Sequence, residues 1–156
     1  MKIGMIVYSE QGHTLSVIEK LYDELAKSGH DPHISRITIQ GEPQPNKFEI
    51  VNNPATGEYD ALVFAAPVQA FSLNPVMKSY LEKLPSLENK PTVYITTKQL
   101  VFRWTGGNRA IRTMQQITQA KDAQPLGSSI LIWGKNGPSE DEMTKAVNYL
   151  AQLFAN

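Results

Sequence analysis

Two short segments, Ile3 to Tyr8 and Ala61 to Ala66, are apolar almost without interruption and are bounded by turn-forming residues. A strand that is apolar on both faces must be covered on both faces, and parallel sheets flanked by helices are where such strands occur. Between these runs the period of the pattern changes. Leu15, Ile18, Leu21, Tyr22 and Leu25 recur at helical spacing, and Ser28-Gly29 supplies a glycine where a helix would end. His33 to Ile39 alternates in part and predicts a second, more exposed strand. After Ala61–Ala66, stopped by Pro67, Asn74-Pro75 opens a helix with asparagine as N-cap and proline at the first helical position. Its stripe is Met77, Tyr80, Leu81 and Leu84, closed by Pro85. Thr92 to Thr97 predicts a fourth strand, and Gly106-Gly107-Asn108 leads into a helix with Ile111, Met114 and Ile117 on one face. Ile130 to Trp133 predicts a fifth strand, ending at Gly134. In the last helix Ser139 and Glu142 form a capping box, ahead of a stripe from Met143 to Phe154. Residues 41–58 break the pattern with Pro43, Pro45, Pro54 and Gly57, so they predict a long connection with at most one short element, at Phe48 to Val51.

Five strands alternating with four clear helices imply a doubly wound parallel sheet. The length of 156 residues suits one domain spanning 1–156. In such sheets ligands sit outside the carboxyl ends of the strands. Function is therefore expected in residues 9–14, 67–73, 97–107 and 134–138.

Composition narrows the chemistry. With no cysteine, thiolate metal sites and cysteine nucleophiles are excluded. A formal net charge of zero argues against a nucleic-acid partner. No stretch is long and apolar enough to predict a membrane span, and a cytoplasmic location is the expectation. His30 and His33, beside Asp31, lack an apparent third ligand, so a surface turn is preferred to a metal site.

The loop Ser9-Glu10-Gln11-Gly12-His13-Thr14 joins a buried strand to a helix start, where unpaired N–H groups and the helix dipole favour an anion. Ser9 and Thr14 add hydroxyls, and Gly12 lets the backbone approach closely. The same residues would also serve simply to turn a capped corner. The loop resembles the Thr/Ser-x-Thr/Ser-Gly-x-Thr phosphate-binding pattern of the flavodoxins and related FMN proteins; Ser9, Gly12 and Thr14 match, while Gln11 stands in place of a hydroxyl residue. Tyr59 to Val68 resembles the third-strand segment of the same family. The loop after it, Gln69-Ala70-Phe71-Ser72-Leu73, corresponds to the one that flanks the isoalloxazine ring, with Gln69 where an aromatic residue is common and Phe71 as the nearest aromatic. The segment from Thr97 through Phe102, Trp104, Gly106 and Gly107 corresponds to the family's second flavin loop.

The resemblance implies a flavodoxin-like three-layer sandwich with a five-stranded parallel sheet in the order 2-1-3-4-5 and FMN as cofactor. Its binding residues would be Ser9, Gln11, Gly12, His13, Thr14, Pro67, Val68, Gln69, Ala70, Phe71, Thr97, Phe102, Trp104, Gly106 and Gly107. Redox chemistry would run through the flavin, so no catalytic acid or base is nominated. The partner would be a redox protein or a small molecule of the NAD(P)H or quinone kind. Exposed Phe102 and Trp104 also suit a homodimer contact. Residues 89–121 carry Lys90, Lys98, Arg103, Arg109, Arg112 and Lys121 and no Asp or Glu; this balance of +6 leaves −6 for the rest of the neutral chain. Electron-carrying flavodoxins are typically acidic around the flavin, so this departure tilts towards NAD(P)H-dependent reductase chemistry, while a solvated basic helix face is an equal reading and a one-electron carrier stays open.

Other classes fit poorly. A phosphoreceiver would need an aspartate ending the third strand, where this chain has Ala65-Ala66-Pro67. Gly-x-x-x-x-Gly-Lys-Ser/Thr, Gly-x-Ser-x-Gly and Gly-x-Gly-x-x-Gly are all absent. The rival is a flavodoxin-fold binding or assembly module that has lost its flavin, a reading sustained by Gln11 and Gln69.

Overall fold

The computed structural model describes residues 1–44, 47–102 and 105–155. Five strands form the parallel sheet: β1 (Lys2–Val7), β2 (Asp31–Arg36), β5 (Ala61–Gln69), β7 (Pro91–Lys98) and β8 (Gln124–Ile132), in the order β2-β1-β5-β7-β8. In sequence order of those five strands this is 2-1-3-4-5. Two additions depart from a plain five-stranded sheet. The two-residue strand β6 (Ser72–Leu73) folds back antiparallel on β5, and β3 (Thr38–Gly41) pairs with β4 (Phe48–Asn52) in a separate hairpin.

Side chains of the central strands alternate between two cores. Ile6, Phe64, Tyr94 and their neighbours face α2 (Pro75–Glu82) and α3 (Gly107–Gln119). Met5, Val63, Ile95 and theirs face α1 (His13–Lys27) and α4 (Glu140–Gln152). Full burial contributes about 1.5–3 kcal/mol for each such aliphatic or phenylalanine side chain relative to exposure, which explains why these runs tolerate no polar alternation.

The two predicted caps are present: Asn74 Oδ1 accepts the Val76 N–H at 2.8 Å, and Ser139 with Glu142 closes a capping box. The buried stripe of α1 is Thr14, Val17, Ile18, Leu21 and Leu25, so it is rotated from the expected one, and Tyr22 is exposed.

Strand bounds differ in instructive places. The expected second strand, 33–39, divides: Ile37 turns inward into the α2–α3 core, and the chain leaves the sheet to begin β3. The connection 41–58 does carry a single strand, β4, but that strand pairs with β3, which the irregular sequence does not announce. β8 begins six residues before Ile130. As an edge strand it is half-buried and admits Pro125, Gly127, Ser128 and Ser129, which no apolar-run criterion detects.

Candidate functional site

A cleft of about 860 Å³ opens at the carboxyl ends of the parallel strands. Its walls come from five loops: Ser9 to Thr14, Glu42 to Gln44, Pro67 to Gln69, Thr97 to Gln99 and Trp133 to Asn136.

The floor is the start of α1. Gly12, at φ 86, is the N-cap and offers no side chain to the first turn. The Leu15 N–H reaches Ser9 Oγ at 3.3 Å and the Ser16 N–H reaches the Gly12 carbonyl at 3.0 Å. Among the described residues, the N–H groups of His13 and Thr14 find no protein acceptor. Two orphan donors at the positive end of a fifteen-residue helix form a site for an anion. Beside them, buried Thr14 and Thr97 share a hydrogen bond of 2.8 Å between their hydroxyls. A hydroxyl pair has two protons and spends one on the shared bond, so one remains to donate to whatever occupies the cleft. His13 stacks on Trp133, ring centroids 4.3 Å apart and planes 10° apart, which ties the first loop to the end of β8.

The opposite wall is a polar network. Asn74 Nδ2 donates to Glu10 Oε1 and to Gln69 Oε1, each at 2.9 Å, and Gln69 Nε2 donates to the Pro43 carbonyl. Asn74, fully buried, thus caps α2 and joins three loops. Tyr8, at the end of β1, is pushed up to about 12 by burial and, secondarily, by the Glu10 carboxylate. It stays neutral at physiological pH and is no candidate for a base.

Two loops frame the rim. Ala70 and Phe71, at φ 50 and 62, make the two-residue turn between β5 and β6, the conformation that usually recruits Asn-Gly. Phe71, Leu100, Val101 and Phe102 are exposed apolar side chains there. The second loop is anchored from below by Lys98, whose Nζ donates to the Phe102 carbonyl at 2.8 Å and to Thr105 Oγ1 at 3.1 Å. Gln99 Nε2 donates to the Gly134 carbonyl, tying the same loop to β8.

Of the fifteen residues nominated from sequence, Ser9, Gln11, His13, Thr14, Pro67, Val68, Gln69 and Thr97 line the cleft. Gly12 shapes the helix start behind it. Ala70, Phe71 and Phe102 are exposed and outside the lining. Gly106 and Gly107 are buried away from it, where closeness to other groups accounts for the missing side chains: a Cβ on Gly106 would meet the Phe71 backbone, and one on Gly107 would meet Ile130. Trp104 lies outside the described residues. The Gln69 side chain is occupied by Asn74 and Pro43, so it acts here as a strut between loops.

Sequence reasoning did not nominate Glu10, Lys98, Gln99 or the residues of 42–44 and 133–136 that line the cleft. The strand-end rule flagged the stretches 9–14, 97–107 and 134–138, which hold Glu10, Lys98, Gln99 and Gly134 to Asn136; nothing in the proline-broken stretch signalled that Glu42, Pro43 and Gln44 would return to the site.

Solved structures share this arrangement over nearly the whole chain. A flavodoxin of Streptococcus pneumoniae superposes with a TM-score of 0.74 at 13% identity, covering 99% of this chain and 98% of that one. Oxidised flavodoxin 2 of Bacillus cereus gives 0.75 at 15% identity, with the same coverage. The two-electron reduced flavodoxin of Megasphaera elsdenii gives 0.68 at 13%, covering 96% and 98%. The fold is flavodoxin-like. No family model and no curated protein matches the sequence. At these identities the likeness lies in the flavodoxin-like layers and topology, and the chemistry must be argued from the cleft.

Among the described residues, no helix is long and apolar enough to cross a membrane, and no group of three or more His, Asp or Glu is placed to hold a metal ion.

Proposed function

We propose that the chain binds FMN in the strand-end cleft and acts as a redox protein. The observation that carries this reading is the pair of orphan N–H groups on His13 and Thr14, backed by the spare hydroxyl proton of the Thr14–Thr97 pair. This donor set fits a phosphate monoester: several directed hydrogen bonds and a helix dipole, with no need for a basic side chain. Bound FMN supplies the one- and two-electron chemistry of its ring. The chain's own residues bind and orient. Ser9, Gly12, His13, Thr14 and Thr97 hold the phosphate end, and the loops 67–71 and 97–102 border the ring.

The strut of Glu10, Asn74, Gln69 and Pro43 fixes the distance between the phosphate loop and the first of those ring loops. Lys98 performs the same service for the second. Electrons would enter and leave through a partner protein or through small molecules of the NAD(P)H and quinone classes, reaching the site past the apolar rim.

Riboflavin, which has the ring and lacks the phosphate, tests this assignment. Charge-assisted hydrogen bonds contribute about 1.5–3 kcal/mol each. FMN is therefore expected to bind at least about 100-fold tighter than riboflavin in parallel fluorescence titrations. Equal affinities would mean that the α1 N-terminus takes no part, and would overturn the reading.

A further inference from the structure

Four charged residues line the cleft: Glu10, Glu42, Lys98 and Lys135. Three of them are exposed to solvent, and Lys98 alone is buried, at 8% exposure. An exposed charge is screened by water and salt, whereas a buried one keeps its reach. Of the four, Lys98 therefore carries the charge that solvent screens least, although the four formal charges cancel.

Lys98 satisfies two of its three donors, on the Phe102 carbonyl and Thr105 Oγ1. No carboxylate lies within ion-pair distance of it among the described residues. A buried cation with neutral partners is incompletely compensated. Lys90, at the other end of the same strand, shows that this fold also uses buried lysine as a plain loop clamp: its Nζ donates to the carbonyls of Thr56 and Gly57. Lys90 does not line the cleft, and Lys98 does. The two lysines differ in what their charge can act on.

We infer that Lys98 tunes the redox balance of the site by favouring the reduced, anionic flavin over the oxidised one. This rests on the FMN reading above. Uptake of two electrons and one proton from an external reductant leaves the flavin ring with one additional negative charge. A fixed buried cation at the cleft wall therefore binds the reduced form more tightly than the oxidised form. By linkage, that difference raises the two-electron potential of the bound flavin.

The test compares the affinities of oxidised FMN and dithionite-reduced FMN in the wild type, Lys98→Gln, Lys98→Met and Lys90→Gln. Glutamine keeps a donor for the Phe102 carbonyl and removes the charge. Methionine keeps the length and removes both. In both Lys98 variants the preference for reduced over oxidised FMN is expected to fall about tenfold, equivalent to a drop of about 30 mV for the two-electron couple. Lys90→Gln is expected to leave the preference within about twofold of wild type, since its charge lies away from the cleft.

An unchanged preference in a Lys98 variant that still binds FMN would overturn the inference and leave the FMN reading standing. An equal fall in Lys90→Gln would also overturn it, because loosened loops would then explain the effect. Failure of the wild type to bind either form would remove the FMN reading itself, and the inference with it.

Discussion

Thr14→Asp is expected to abolish FMN binding while leaving the protein folded. Thr14 is buried in the first turn of α1, beside Thr97 and the orphan N–H of His13. An aspartate there places its own carboxylate on the donors that a phosphate would use. The anion sits favourably at a helix N-terminus, so the helix dipole offsets part of its burial cost. A second anion in the same place meets repulsion of about 4 kcal/mol for unit charges some 4 Å apart at the effective dielectric of a protein site. That corresponds to a loss of roughly 1000-fold in affinity. Thr14→Val, which removes only the hydroxyl, should cost roughly 10-fold. Circular dichroism with fluorescence titration separates folding from binding. A folded Thr14→Asp protein with FMN affinity within about tenfold of wild type would place the phosphate elsewhere.

Gly106→Ala should destabilise the fold by about 3 kcal/mol, from two causes that act together. Gly106 has φ 105, a conformation costly for any residue with a side chain, by about 1–2 kcal/mol. In addition, a Cβ there would lie 2.3 Å from the Phe71 carbonyl carbon, so two backbones would have to separate. Overpacking against a fixed neighbour adds about 1–3 kcal/mol. For a domain of this size the sum corresponds to a fall in Tm of about 10 °C. Thermal and denaturant unfolding should agree on it. Because the clash lies between the two rim loops, FMN affinity should fall as well. Gly12→Ala provides the contrast: its φ is also positive, but a Cβ there meets nothing within 4 Å, so only the conformational cost applies.

The parallel sheet was legible because its central strands are buried on both faces. Ile3 to Tyr8 and Ala61 to Ala66 have no polar alternation because α1 and α4 cover one side and α2 and α3 the other. The helix starts at Asn74 and Ser139 were legible because capping is local chemistry. The edge was less so. β8 has a neighbour on one side only, so Gly127, Ser128 and Ser129 are tolerated and its first two-thirds reads as loop. The β3–β4 hairpin was illegible for a related reason: its strands are short and largely exposed, prolines punctuate the connection between them, and their pairing is fixed by tertiary context.

In the site, the loop before α1 could be located because Ser9, Gly12 and Thr14 sit at fixed offsets around one helix start. The burial of Lys98 could not be read. From sequence it is one of six basic residues in 89–121; only the fold separates it, buried in the cleft wall, from Lys90 at the far end of β7 and from Arg109 and Arg112, exposed on α3. Likewise, Gly106 and Gly107 were nominated for the flavin, yet their local geometry is explained by backbone and side-chain packing.

In the proposed complex the α1 N-terminus and the Thr14–Thr97 pair hold a flavin phosphate. Titrating the apoprotein with FMN while following flavin fluorescence tests it most directly. Saturable binding at one FMN per chain, with a Kd in the low-micromolar range or below, is the expected result. No binding at tens of micromolar FMN would contradict the account and leave a flavodoxin-like fold whose cleft serves another ligand.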